Sequence, residues 1–117
     1  MIDIRDRVRN TELHAKIVSA EEAAAFIKPG MNIGVSGFTP AGYPKAVPMA
    51  LAKRMEQTPF QVNIWSGASV GDELDGSLAR VNGIKKRMPY QTNGALRKQV
   101  NDGTVDYCDL HLSESAQ

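Results

Sequence analysis

The sequence predicts an α/β fold, a mostly parallel sheet with helices on both faces. Three observations carry this. Strand-like segments alternate with helix-like ones along the chain. Glycine, proline or a capping residue stands at most of the transitions. The 117 residues, 42% apolar and 23% charged, suffice for one small domain with a modest core.

Taken in order, Ile4, Val8 and Ile17 lie among charges and read as an irregular arm followed by a short helix. Ser19-Ala20-Glu21-Glu22 matches a capping box, in which hydroxyl and carboxylate each satisfy an otherwise orphaned amide. The alanine-rich helix it opens runs to Lys28, and Pro29-Gly30 closes it. Met31 to Ser36 reads as a strand, ending in Gly37-Phe38-Thr39-Pro40-Ala41-Gly42-Tyr43-Pro44. Val47, Leu51 and Met55 recur every four residues and mark one helix face, with Pro48 in the first turn, where a missing amide proton costs little.

Gln61 to Ser66 alternates as a second strand, and Gly67 to Gly71 is a second loop. Asp72 is placed to cap a helix carrying Leu74, Leu78 and Val81 before Gly83. Ile84 to Tyr90 reads as a short strand, Asn93 to Asn101 as a helix ended by Gly103, and Thr104 to Leu112 as a last strand. Ser113 to Gln117 resembles the opening of a further helix. A parallel sheet has both faces covered, so an end at Gln117 predicts a fragment.

Lys and Arg number 14 against 13 Asp and Glu, a balance that gives no electrostatic reason for a nucleic-acid or membrane partner. The first ten residues lack the apolar stretch of a signal peptide, and the longest apolar run, Ala23 to Ile27, cannot span a bilayer. A single cysteine, Cys108, excludes an internal disulfide and fits a reducing compartment, so a cytoplasmic protein is expected. His14 and His111 are far apart, and no Cys/His/Asp cluster has metal-ligand spacing, so no metal is expected. Glu12, Glu56, Glu73 and Glu114 show no pairing of acid and base.

In open parallel sheets, ligands gather where strands end and helices begin. Gly37 to Gly42 has the glycine separation of a Walker loop, yet Tyr43-Pro44 stands where lysine and a hydroxyl must follow. The dinucleotide fingerprint fails as well, for want of a glycine two residues before Gly37. By spacing alone, a tight turn accounts for these glycines more readily than a ligand loop. Ser69 and Thr92 are hydroxyls near the same edge, open to two readings, as ligand donors or, for Ser69, as a turn hydroxyl and, for Thr92, as the neighbour of an N-cap. Lys85-Lys86-Arg87 reads as a solvated face.

The run Val35-Ser36-Gly37-Phe38-Thr39-Pro40-Ala41-Gly42-Tyr43-Pro44-Lys45-Ala46-Val47-Pro48 is similar to a signature of the acetyl-CoA hydrolase/transferase family, of the succinyl-CoA:acetate and propionyl-CoA:succinate class I type. Ser66-Gly67-Ala68-Ser69, Glu73-Leu74-Asp75-Gly76, Arg87-Met88-Pro89-Tyr90-Gln91-Thr92 and His111-Leu112-Ser113 extend the resemblance in order along essentially the whole chain.

The resemblance implies that residues 1–117 are part of an N-terminal CoA-transferase domain. It implies transfer of coenzyme A, as substrate and without a further cofactor, between acyl-CoA and short-chain carboxylates such as acetate or succinate. In that family a glutamate forms an acyl-glutamyl anhydride. That glutamate, and most of the CoA surface, belong to a C-terminal catalytic domain outside this chain, so no catalytic residue is assigned here and the segment alone is expected to be inactive. Ser69 and Thr92 match positions that hold the exchanging carboxylate, and Gly37, Phe38 and Thr39 belong to the same substrate-binding edge. A homodimer is implied for the full-length protein. Pro40 and Tyr43 sit where relatives vary, which leaves open the acid accepted. Two other readings remain, a stand-alone small-molecule or nucleotide-binding α/β module and a subunit-interaction domain.

Overall fold

A computed structural model describes residues 3–88 and 93–108, apart from the side chains of Ala68 and Ser69. Two 3-10 turns, Ile4–Arg7 and Thr11–Lys16, stand where the arm and short helix were expected. They lead to α1 (Ala20–Ala25), β1 (Asn32–Thr39), α2 (Ala46–Gln57) and β2 (Val62–Ser69). A single π-helical turn, Asp72–Gly76, then runs into α3 (Ser77–Arg80), followed by β3 (Ile84–Met88), α4 (Gly94–Asn101) and β4 (Asp106–Tyr107).

The capping box at α1 forms as expected: Ser19 Oγ accepts from the amide of Glu22 at 3.1 Å, and the Glu22 carboxylate accepts from the amide of Ser19 at 2.8 Å. The helix ends at Ala25, short of Lys28. Its end is held from outside by Arg54 of α2, whose Nη1 donates to the carbonyl of Ala24 (2.9 Å) and, just beyond the helix, to that of Ile27, while the guanidinium lies 4.8 Å over the Phe60 ring. In α2 the expected face is the buried one, with Leu51 and Met55 inside and Val47 partly so.

All four strands run parallel in the order β1-β2-β3-β4. That order decides how the sheet is covered. When each strand is added on the same side of the last, right-handed crossovers deposit every helix on one face. The expected parallel α/β class is present, but among the described residues the helices form one layer, α1 against α2, α2 against α3 and α3 against α4. The sequence expectation of helices on both faces required a reversal in strand order, which is absent from these strands.

The core lies between sheet and helices. Ile64 and Ile84 of the sheet meet Leu51, Leu78 and Leu96 of the helices, all nearly solvent-free. Each contributes about 1.5–3 kcal/mol of burial free energy. The other face is polar and open: Asn32 Oδ1 accepts from Asn63 Nδ2 at 2.9 Å and from Trp65 Nε1 at 3.0 Å, and Lys86 Nζ lies 5.8 Å from the indole centre.

Candidate functional site

The ends of β1, β2 and β3 lie side by side, as the parallel arrangement requires. In β1 the register advances three residues, Val35 to Phe38, while β2 advances two, Ser66 to Ala68. The extra residue is a β-bulge, and Gly37 occupies it at φ 130°, a conformation that side chains resist. The chain then turns tightly: Phe38 and Ala41 exchange two backbone hydrogen bonds of 2.9 Å. Thr39 holds φ 49° at the first central position of this turn, where glycine is usual, a strain of about 1–3 kcal/mol. It persists because Thr39 is also the register partner of Ser69 and its carbonyl accepts from the amide of Val70 at 3.1 Å. The first two loops are thereby joined.

Tyr43 joins them a second time. Its hydroxyl donates to the Glu73 carboxylate, and its ring packs so closely on Gly71 that a Cβ there would fall inside it. The hydrogen bond holds Glu73 below the usual carboxylate range, and the same carboxylate pushes the Tyr43 phenol up. Lys45 Nζ lies 5.0 Å from the centre of that ring.

The π-helical turn after β2 reaches in three directions. Asp72 does not cap it, contrary to the sequence expectation; Gly71 stands at the N-cap, and Asp75 Oδ2 accepts from its amide at 3.1 Å. Asp72 instead turns outward, taking bonds from Arg80 at 2.6 Å and Asn93 Nδ2 at 3.1 Å, which hold its carboxyl below the ordinary range. Asp75 turns inward to Arg87, whose Nε donates to Oδ1 at 2.8 Å with both side chains fully buried. Arg87 Nη1 goes on to Ser66 Oγ at 2.9 Å and the Met88 carbonyl at 2.6 Å.

Arg87 corrects the expected solvated face at Lys85-Lys86-Arg87. Val62 pairs with Ile84, but Asn63 pairs with Lys86, so Lys85 is an extra residue in β3. That bulge shifts the alternation and brings Arg87 to the side of Ile64, beneath the helices. The Asp75–Arg87 pair, the Asp72–Asn93 bond and the Tyr43–Glu73 bond were all missed by sequence reasoning. The available signals were slight: an aspartate three residues after Asp72 in a helix, and an arginine beside Met88 at the end of a strand that opens with Ile84.

These contacts frame a hollow of about 200 Å³ at the strand ends, lined by Pro40, Val70, Gly71, Asp72 and Asn93. Gly37, Phe38 and Thr39 belong to the same edge, with Phe38 70% exposed. Ser69 enters it through its backbone as the last residue of β2; its side chain and all of Thr92 lie outside the described residues. Asn93, which follows Thr92, lines the hollow and caps α4 by accepting from the amides of Ala95 and Leu96 at 3.0 and 3.2 Å. A larger groove of about 710 Å³ runs outside the helix layer past Met49, Lys53 and Arg80. It lies away from the strand ends, where topology concentrates ligand sites.

Among the described residues no three His, Cys, Asp or Glu side chains converge as metal ligands, and no helix is long and apolar enough to cross a membrane. His14 is engaged locally, its Nε2 lying 2.8 Å from the Val8 carbonyl oxygen.

Residues 1–117 match the family model of the acetyl-CoA hydrolase/transferase N-terminal domain. The chain is 47% identical over 113 residues to a succinyl-CoA:acetate CoA-transferase of Clostridium kluyveri, covering 95% of the chain and 21% of that protein. It is 43% identical over 105 residues to a propanoyl-CoA:succinate CoA transferase of Escherichia coli (86% and 21%), and 36% identical over 115 residues to an acetyl-CoA hydrolase of Schizosaccharomyces pombe (94% and 22%). It thus spans about a fifth of the length of these relatives. Among solved structures, RipA from Yersinia pestis shares the fold, with a TM-score of 0.64 at 21% identity over 97% of this chain and 27% of that one.

Proposed function

The chain belongs to the acetyl-CoA hydrolase/transferase family, and from that membership we propose that it forms part of the N-terminal domain of an acyl-CoA:carboxylate CoA-transferase. The enzyme moves coenzyme A between short-chain acids such as acetate and succinate, and CoA enters as substrate. A glutamate outside this chain attacks the thioester carbonyl, expels CoA thiolate and becomes an acyl-glutamyl anhydride. The incoming acid then takes the place of the first, which leaves as its free carboxylate, and attack of the thiolate on the new acyl carbonyl forms the new thioester and frees the glutamate. Within this scheme the present segment binds and orients the exchanging carboxylate at the strand ends, with Ser69 and Thr92 as hydroxyl donors and Gly37 to Thr39 as the adjoining wall. The complete transferase is a cytoplasmic homodimer.

The identity of 47% to a succinyl-CoA:acetate CoA-transferase carries this reading. The hollow at the carboxyl edge supports it, since Val70 and Asn93, the neighbours of Ser69 and Thr92, both line it. The test is thioester exchange by the complete transferase of which this chain is a part, followed with acetyl-CoA and succinate. Formation of succinyl-CoA and acetate in equal amounts is expected. Release of free CoA at the same rate with and without succinate would make the enzyme a hydrolase and overturn the transferase assignment.

A further inference from the structure

We propose that Asp75, acting through Arg87, is a positioning residue that fixes Gly71, which lines the carboxylate hollow, against Ser66 of β2 and the end of β3. The inference rests on the carboxylate-binding reading above and adds to it a determinant buried behind the site.

The two side chains clamp three segments with one unit. Asp75 Oδ2 holds the amide of Gly71, two residues after Ser69, while Oδ1 holds Arg87 Nε. The guanidinium then holds Ser66 Oγ inside β2 and the carbonyl of Met88, the last residue of β3. Both side chains have no solvent exposure. Neither can trade its partner for water, so the distances are fixed by the planar fork of the guanidinium and the two lone-pair directions of the carboxylate. At the rim, Asp72 of the same turn takes a bond from Asn93. One five-residue π-helical turn therefore contacts both sides of the hollow, a geometry that turns of this kind favour at functional sites.

Stability alone does not call for such a pair. Well-packed apolar residues of similar volume commonly replace a buried ion pair without loss. What they cannot reproduce is the simultaneous hold on Gly71, Ser66 and Met88.

The experiment uses the complete transferase and compares the Asp75→Leu/Arg87→Met double variant, Arg87→Lys and Ser69→Ala. The double variant is expected to melt near the parent temperature and to raise KM for the free carboxylate about tenfold or more, because small misplacements are costly in oriented reactions. Arg87→Lys keeps the charge but loses the fork, and is expected to raise the same KM. A parent-like carboxylate KM in a folded double variant overturns the proposal; should that variant fail to fold, a parent-like KM in Arg87→Lys does so. Normal kinetics in Ser69→Ala beside a raised KM in the double variant overturns the Ser69 assignment and upholds the positioning role.

Discussion

Arg87 donates from Nε to Asp75 Oδ1 at 2.8 Å, and solvent reaches neither side chain. The contact joins a residue of the turn after β2 to one of β3, twelve positions apart in sequence. Removing one partner strands the other as a buried charge. Asp75→Ala and Arg87→Ala are each expected to lose about 3–5 kcal/mol of folding stability. Lys85→Ala, two residues from Arg87 but exposed, is expected to change it by less than about 0.5 kcal/mol. Urea unfolding of the three variants measures both. Equal losses for Lys85 and Arg87 would show that burial of the pair has no energetic weight.

The carboxylate reading makes a kinetic prediction. A carboxylate only accepts hydrogen bonds, and a neutral hydroxyl bonded to it contributes about 1.5–3 kcal/mol. Ser69→Ala and Thr92→Ala in the complete transferase are each expected to weaken the exchange about tenfold to a hundredfold, with little change in melting temperature. Loss of melting temperature at unchanged kinetics would make both of them turn hydroxyls.

The Tyr43–Glu73 bond carries a pH signature at both ends of the scale. Glu73 is held below its ordinary 4.5, so the contribution is complete above pH 4.5 and is lost as pH falls through the lowered value. Tyr43 is raised above its ordinary 10.0, so the contribution is complete below pH 10 and is lost as pH rises through the raised value. The stability difference between the parent and Tyr43→Phe is therefore expected to be flat between those limits and to shrink outside them. Denaturant unfolding across pH measures it. A difference that grows in acid would contradict the bond.

The isolated 117-residue chain is expected to have neither transferase nor thioesterase activity, because the proposed mechanism takes its attacking glutamate from outside these residues. Incubation with acetyl-CoA and succinate, with thioester exchange and free thiol followed together, measures both. Turnover well above buffer would place the chemistry within these residues.

Features that depend on near neighbours were legible in the sequence. The capping box at Ser19 and Glu22, the buried stripe of α2 and the helix from Asn93 to Asn101 each need only a few consecutive residues, and each formed. The alternation of strands with helices sufficed for the parallel α/β class, and the Gly37 to Thr39 run marked the edge where the strands end. Tertiary structure decided the rest. Strand order, which no local pattern encodes, put the helices in one layer. A one-residue bulge at Lys85, visible only once β3 pairs with β2, turned Arg87 from the expected solvated face into the core and gave Asp75 its partner.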